Sequence, residues 1–174
     1  MLTKPEYGWT DFHIDDTYTY QLSYITDVAI DWLDTAIFGL ENGLPFTVSG
    51  RCEPGRMLCT VTDEYCYVVF TDEEGETVEE FHSVRLGMVD FCKALYKDIS
   101  ENIDVWVMWA PHQIEHIFCK SFCSLRFRKD CADALDCPLD NSDDNHLKPA
   151  KDYVKGIIQG KLDKLKELID EVDV

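Results

Sequence analysis

Positive charge is scarce in this chain, above all in its first 110 residues, where 6 Lys and Arg face 21 Asp and Glu. Over all 174 residues the balance is 16 against 34, a formal net charge of -18. A surface so negative repels nucleic-acid phosphate and anionic lipid, which excludes both as partners reached through electrostatics and favours a cationic one. Long apolar runs are absent as well. None approaches the roughly 20 residues that span a membrane, and Met1-Leu2-Thr3-Lys4-Pro5-Glu6 lacks the apolar stretch of a signal peptide. The expectation is a soluble protein that stays in the cytoplasm.

Signatures of chemistry are missing too. No G-x-x-x-x-G-K-[ST] phosphate loop and no G-x-G-x-x-G dinucleotide fingerprint occurs. None of the eight cysteines belongs to a C-x-x-C pair. Without an export signal they are expected to be reduced thiols, several of them small core residues. Cys52, Cys59 and Cys66 recur every seven residues, in what reads as strand and loop. With no recognisable catalytic motif, the reading leans away from an enzyme and names no catalytic residue and no cofactor.

What is present is a core. Hydrophobic residues make up 45% and aromatics 12%, a globular composition, and a chain of this length folds as one domain without a metal or disulfide to hold it. From Phe12 to Tyr24 apolar residues fall on even positions, a period-two strand signal interrupted by a turn at Asp15-Asp16. Thr26-Asp27 supplies an N-cap, Ile30, Leu33, Ile37 and Leu40 a helical stripe, and Asn42-Gly43 a left-handed stop, which predicts a helix over 27 to 42. Pro45 to Val48, Met57 to Thr62, Tyr65 to Phe70 and Thr77 to Ser83 read as strands. Their connections are too short for crossovers, so they form an antiparallel meander. Met88, Cys92, Leu95, Ile99, Ile103 and Trp106 then repeat at helical spacing toward Trp109. Residues 112 to 128 read as a further helix, Asp136 to Pro149 as loop, and Tyr153 to Val172 as an amphipathic helix on Ile157, Leu165, Leu168, Ile169 and Val172. Strands and helices without regular alternation define an α+β domain, a meander with helices on one face. The last helix docks on that domain or on a second copy of the chain, which would make a homodimer.

Two groups of side chains are candidate sites. His112, His116, Cys119 and Cys123 fall on one face if residues 112 to 128 form a helix, opposite Ile114, Ile117, Phe118, Ser121, Phe122 and Leu125. Imidazole and thiolate suit zinc. The two ends of the group lie roughly 16 Å apart along a helix, so a site takes two of them and outside ligands such as Cys131, Cys137 or His146. This is the alternative reading, a zinc- or thiol-dependent protein. The second group is acidic: Asp63 and Glu64, then Asp72, Glu73, Glu74 and Glu76, then Glu79 and Glu80, in turns and at a strand start, where contact with a basic protein is expected. Arg126-Phe127-Arg128-Lys129, the one basic cluster, reads as a cationic helix end. Trp32 and the stretch Trp106-Val107-Met108-Trp109 read as core in preference to a contact hot spot.

Tyr7-Gly8-Trp9-Thr10, Ser23-Tyr24-Ile25-Thr26-Asp27-Val28, Glu41-Asn42-Gly43-Leu44-Pro45 and Asp104-Val105-Trp106-Val107-Met108-Trp109 resemble the punctuation of a group of small acidic bacterial proteins of unknown function. The resemblance covers about residues 7 to 110. It implies bacterial origin and an order of strand, helix, meander, helix, and it carries over no catalytic residue. The segment from 111 onward departs from the pattern. In size and charge the chain is also similar in bearing to immunity proteins of bacterial toxin systems. The function expected is therefore that of a non-enzymatic module that binds a basic protein, as immunity proteins and nucleic-acid mimics do.

Overall fold

The computed structural model describes residues 1–72, 74, 78–109 and 144–172, with Glu79 and residues 144–150 as backbone only. Strands β1 (Trp9–His13) and β2 (Thr19–Ser23) form an antiparallel hairpin, with Phe12 opposite Tyr20. The Asp15 carboxylate closes its turn by accepting from the backbone N–H groups of Thr17 and Tyr18 at 2.7 and 3.0 Å. Helix α1 (Val28–Asn42) begins where the Asp27 side chain accepts from the Ile30 N–H at 3.2 Å. It ends at Gly43, whose left-handed conformation (φ 61°) lets the Leu44 N–H turn back to the Gly39 carbonyl at 3.0 Å.

Strands β3 (Phe46–Arg51), β4 (Arg56–Val61), β5 (Cys66–Thr71) and β6 (Val78–Val84) form a four-stranded antiparallel meander in chain order. Phe46, Val48, Met57, Cys59, Val61, Cys66 and Val68 share its inner face and are buried. Three elements cover that face. The hairpin crosses one end, where Leu22 lies so close to Gly50 that a Cβ there would meet its Cδ2 at 2.7 Å. Helix α1 packs on β3, its indole Trp32 Nε1 donating to the Ser49 carbonyl at 2.8 Å. Beside α1 lies α2 (Met88–Ser100), which buries Met88, Phe91, Cys92, Leu95 and Ile99; the Phe91 ring meets Phe46 edge-on at 5.8 Å.

The helix expected to run on from Met88 toward Trp109 breaks after Ser100. Asn102 leaves the helical conformation (φ -130°) and its amide donates to the Asp98 carbonyl at 3.3 Å, a local bond that competes with the helical ladder. A four-residue helix, α3 (Ile103–Trp106), follows and still points Trp106 into the core. Trp32, Trp106 and Trp109 are all buried, and Trp109 Nε1 donates to the Thr26 carbonyl at 2.7 Å.

Helix α4 (Asp144–Val172) starts nine residues before the expected Tyr153, so the last part of the presumed loop, 144 to 149, is helical. Pro149 removes only one hydrogen bond there, near the start of a long helix. The apolar stripe differs as well. Val154, Ile158, Leu162, Leu165, Leu168 and Ile169 are buried against α1 and α2, whereas Ile157 is half-buried and Val172 exposed. Helix α4 thus docks on its own domain. Its early lysines, placed against the helix dipole, meet carboxylates of other helices: Lys155 contacts Asp104 of α3 at 2.6 Å, Lys161 pairs with Asp34 of α1, and Lys164 lies 4.0 Å from Glu41. The fold is α+β, a meander with helices packed on one face. Among the described residues no helix is long and apolar enough to cross a membrane.

Candidate functional site

The face of the meander turned away from the helices is assembled by the register. Thr47, Thr60, Tyr67 and Ser83 stand in one row, and Ser49, Leu58, Val69 and Phe81 in the next. The Thr47 and Thr60 hydroxyls lie 2.8 Å apart across the first strand pair. Tyr65, at the end of the β4–β5 turn, has its ring 6.2 Å from Tyr67, whose ring in turn stacks on Phe81 at 6.4 Å and 22°. These three rings form a continuous strip from the turn to the edge strand, and they remain exposed, Phe81 by 60%. Aromatic side chains held in a row on a rigid sheet lose little entropy on contact, which is the character of an interface centre.

The expected acidic residues are distributed around this sheet and do not form one patch. Asp63 and Glu64 are exposed in the β4–β5 turn next to Tyr65. Asp72 and exposed Glu74 lie between β5 and β6, at the opposite end. Successive turns of a meander alternate ends, and a six-residue strand separates them by about 20 Å. Glu73 and Glu76 lie outside the described residues, and Glu79 is placed in β6 by its backbone alone. Glu80 faces the hairpin. Its Oε2 lies 3.5 Å from the Tyr20 hydroxyl, which donates to it, and 3.3 Å from His82 Nε2. Over residues 46 to 84 nine Asp and Glu stand against two Arg, so the sheet carries a net negative charge while α4, with six of each sign over residues 144 to 172, is neutral.

Between the hairpin and this end of the meander is a second feature, a cavity of about 240 Å³ lined by Trp9, Thr19, Tyr20, Gln21, Cys52, Glu53, Phe70 and Glu80. The Tyr20 and Phe70 rings stack at 6.1 Å along one wall. Burial and the neighbouring Glu80 raise the Tyr20 phenol, and burial pushes the Cys52 thiol up to about 11. Both therefore hold their protons at neutral pH, and Cys52 is a poor nucleophile. The same holds in the core, where burial pushes Cys92 up to about 12, and a hydrogen bond with Cys66 and burial raise Cys59.

His112, His116, Cys119 and Cys123 lie outside the described residues, as do the segment 112 to 128 and the outside ligands Cys131 and Cys137; His146 is placed by backbone alone. Among the described residues no three His, Cys, Asp or Glu side chains are arranged to hold a metal ion. The aromatic strip and the cavity were not foreseen from sequence. A signal for the strip existed: Cys66-Tyr67-Val68-Val69-Phe70 is apolar at both parities, so β5 had to present apolar side chains on both faces. No family model, no curated protein and no solved structure matches the chain.

Proposed function

We propose that this chain is a non-enzymatic protein-binding module whose contact surface is the outer face of the meander and whose partner is a basic protein, bound in the manner of an immunity protein or a nucleic-acid mimic in the bacterial cytoplasm. The observation that carries the reading is the exposed strip Tyr65, Tyr67 and Phe81 with acidic turns at both ends of the same sheet. Apolar rings at the centre supply desolvation energy. Carboxylates at the rim steer a cationic partner and reject an anionic one.

The test is capture of a partner from the native host with wild-type protein, followed by binding of the purified partner to wild type and to a Tyr67→Ser, Phe81→Ser variant. The expected result is a basic partner whose association rate falls steeply with salt and whose affinity drops at least about a hundredfold in the variant, as for two interface anchors of about 1.4 kcal/mol or more each. A host that yields no partner, or a partner indifferent to both salt and the two substitutions, refutes the reading.

A further inference from the structure

We propose that the cavity between the hairpin and the meander receives the cationic side chain of a lysine or arginine. The proposal deepens the reading of a basic partner, since it names the group that such a partner would insert, but it stands on a different part of the molecule. Trp9, Tyr20 and Phe70 supply three aromatic side chains to the lining, and Glu53 and Glu80 two carboxylates. The lining itself holds no cation; His82, outside it, approaches Glu80 Oε2 to 3.3 Å. A ring face attracts an ammonium or guanidinium group through its quadrupole while its area covers the aliphatic stem. The carboxylates then distinguish a charged head from an apolar one.

Size and polarity point the same way. A volume of about 240 Å³ is below the roughly 300 Å³ at which drug-sized ligand sites begin, which suits one side chain. The remaining polar lining is uncharged at neutral pH, because the raised Tyr20 phenol and Cys52 thiol keep their protons. An anion would meet two carboxylates and find no positive charge in the lining. The Glu80 side chain is 53% exposed and Glu53 is exposed as well, so both can reach an incoming cation without breaking the core.

The test uses the full chain and three capped amino acids: N-acetyl-lysine amide, N-acetyl-arginine amide and the neutral N-acetyl-norleucine amide. The readout is the Trp9 indole N–H resonance, assigned by Trp9→Phe. Saturable shifts with one or both cations, at least about tenfold weaker with norleucine, are expected. The Glu53→Gln, Glu80→Gln variant should keep the wild-type melting temperature and lose about tenfold in affinity, whereas Tyr67→Ser, Phe81→Ser should titrate like wild type. No saturable shift, an equal response to norleucine, or an unchanged affinity in the glutamine variant would overturn the proposal. Each of those results leaves the outer-face reading standing, because that reading is tested on Tyr67 and Phe81.

Discussion

On the inner face of the meander Val48, Met57, Cys59 and Val68 lie under α1, α2 and the hairpin with almost no exposed area, while on the outer face Leu58, Val69, Tyr67 and Phe81 stand in the neighbouring positions of the same strands, half-buried or exposed. The two faces do not differ in being apolar or not. They differ in what stands opposite. Apart from Phe46, these buried inner positions are small or aliphatic, and they interlock with helices that approach closely, which is why Gly39 of α1 sits against the Phe46 ring with no room for a Cβ. Outer positions combine large rings, threonines and a charged rim. The contrast teaches that a strand's pattern assigns side chains to a face, whereas burial is decided by the elements that the topology brings there.

Four sets of substitutions break or sharpen this contrast. The largest effect should come from Leu165→Asp, which puts a carboxylate into the fully buried seam between α4 and the helices beneath it. A loss of about 3 kcal/mol or more is expected, from the lost apolar burial and an unpaired buried charge. Urea unfolding reads it, and an unchanged midpoint would mean that α4 does not cover the core. Next is Gly39→Ala, whose methyl would overlap the Phe46 ring; a loss of about 1–3 kcal/mol is expected. Partial recovery in the double variant with Phe46→Leu would assign that loss to this one contact.

The third set works in the opposite direction. Gly156 and Gly160 lie on the exposed side of α4 with nothing within 4 Å of an added Cβ. Replacing each by Ala should stabilise the fold by about 0.5–1 kcal/mol through helix propensity and a more restricted unfolded chain. A fall in melting temperature for either variant would contradict the exposed placement. The smallest effect on stability belongs to Tyr67→Ser with Phe81→Ser. These side chains touch each other but fill no core, so the change should stay within about 1 kcal/mol by calorimetry. A larger loss would mean that the outer face is structurally committed and not reserved for a partner.

Much of this architecture was legible because its signals are local. Asp27 and Gly43 mark the ends of α1 by satisfying orphan backbone groups, and the turns at Glu53-Pro54-Gly55 and Asp63-Glu64 divide the meander. Helix α4 was harder to read. Pro149 and the polar run before it suggested loop, and the glycines and lysines obscured the stripe Val154, Ile158, Leu162, Leu165, Ile169, which repeats at three and four residues. The cavity could not be read at all, since Trp9, Phe70 and Glu80 converge from three separate strands and Cys52 from the turn after β3, and no local pattern encodes that meeting. The placement of the acidic turns is equally non-local. Asp63 and Asp72 are close in sequence, yet β5 lies between them and places them at opposite ends of the sheet.

The docking of α4 also has a consequence in time. Ribosomes deliver residues in order, and the stretch between Trp106 at the end of α3 and Asp144 at the start of α4 takes on the order of several seconds to translate. During that interval the hairpin, the meander, α1 and α2 have all been synthesised, while Ile158, Leu162 and Leu165, which later settle on α1 and α2, have not. The nascent chain should therefore engage a chaperone that binds exposed apolar helix surface, and slowing translation within the intervening stretch should lengthen that engagement, as ribosome profiling of the chaperone-bound fraction would register.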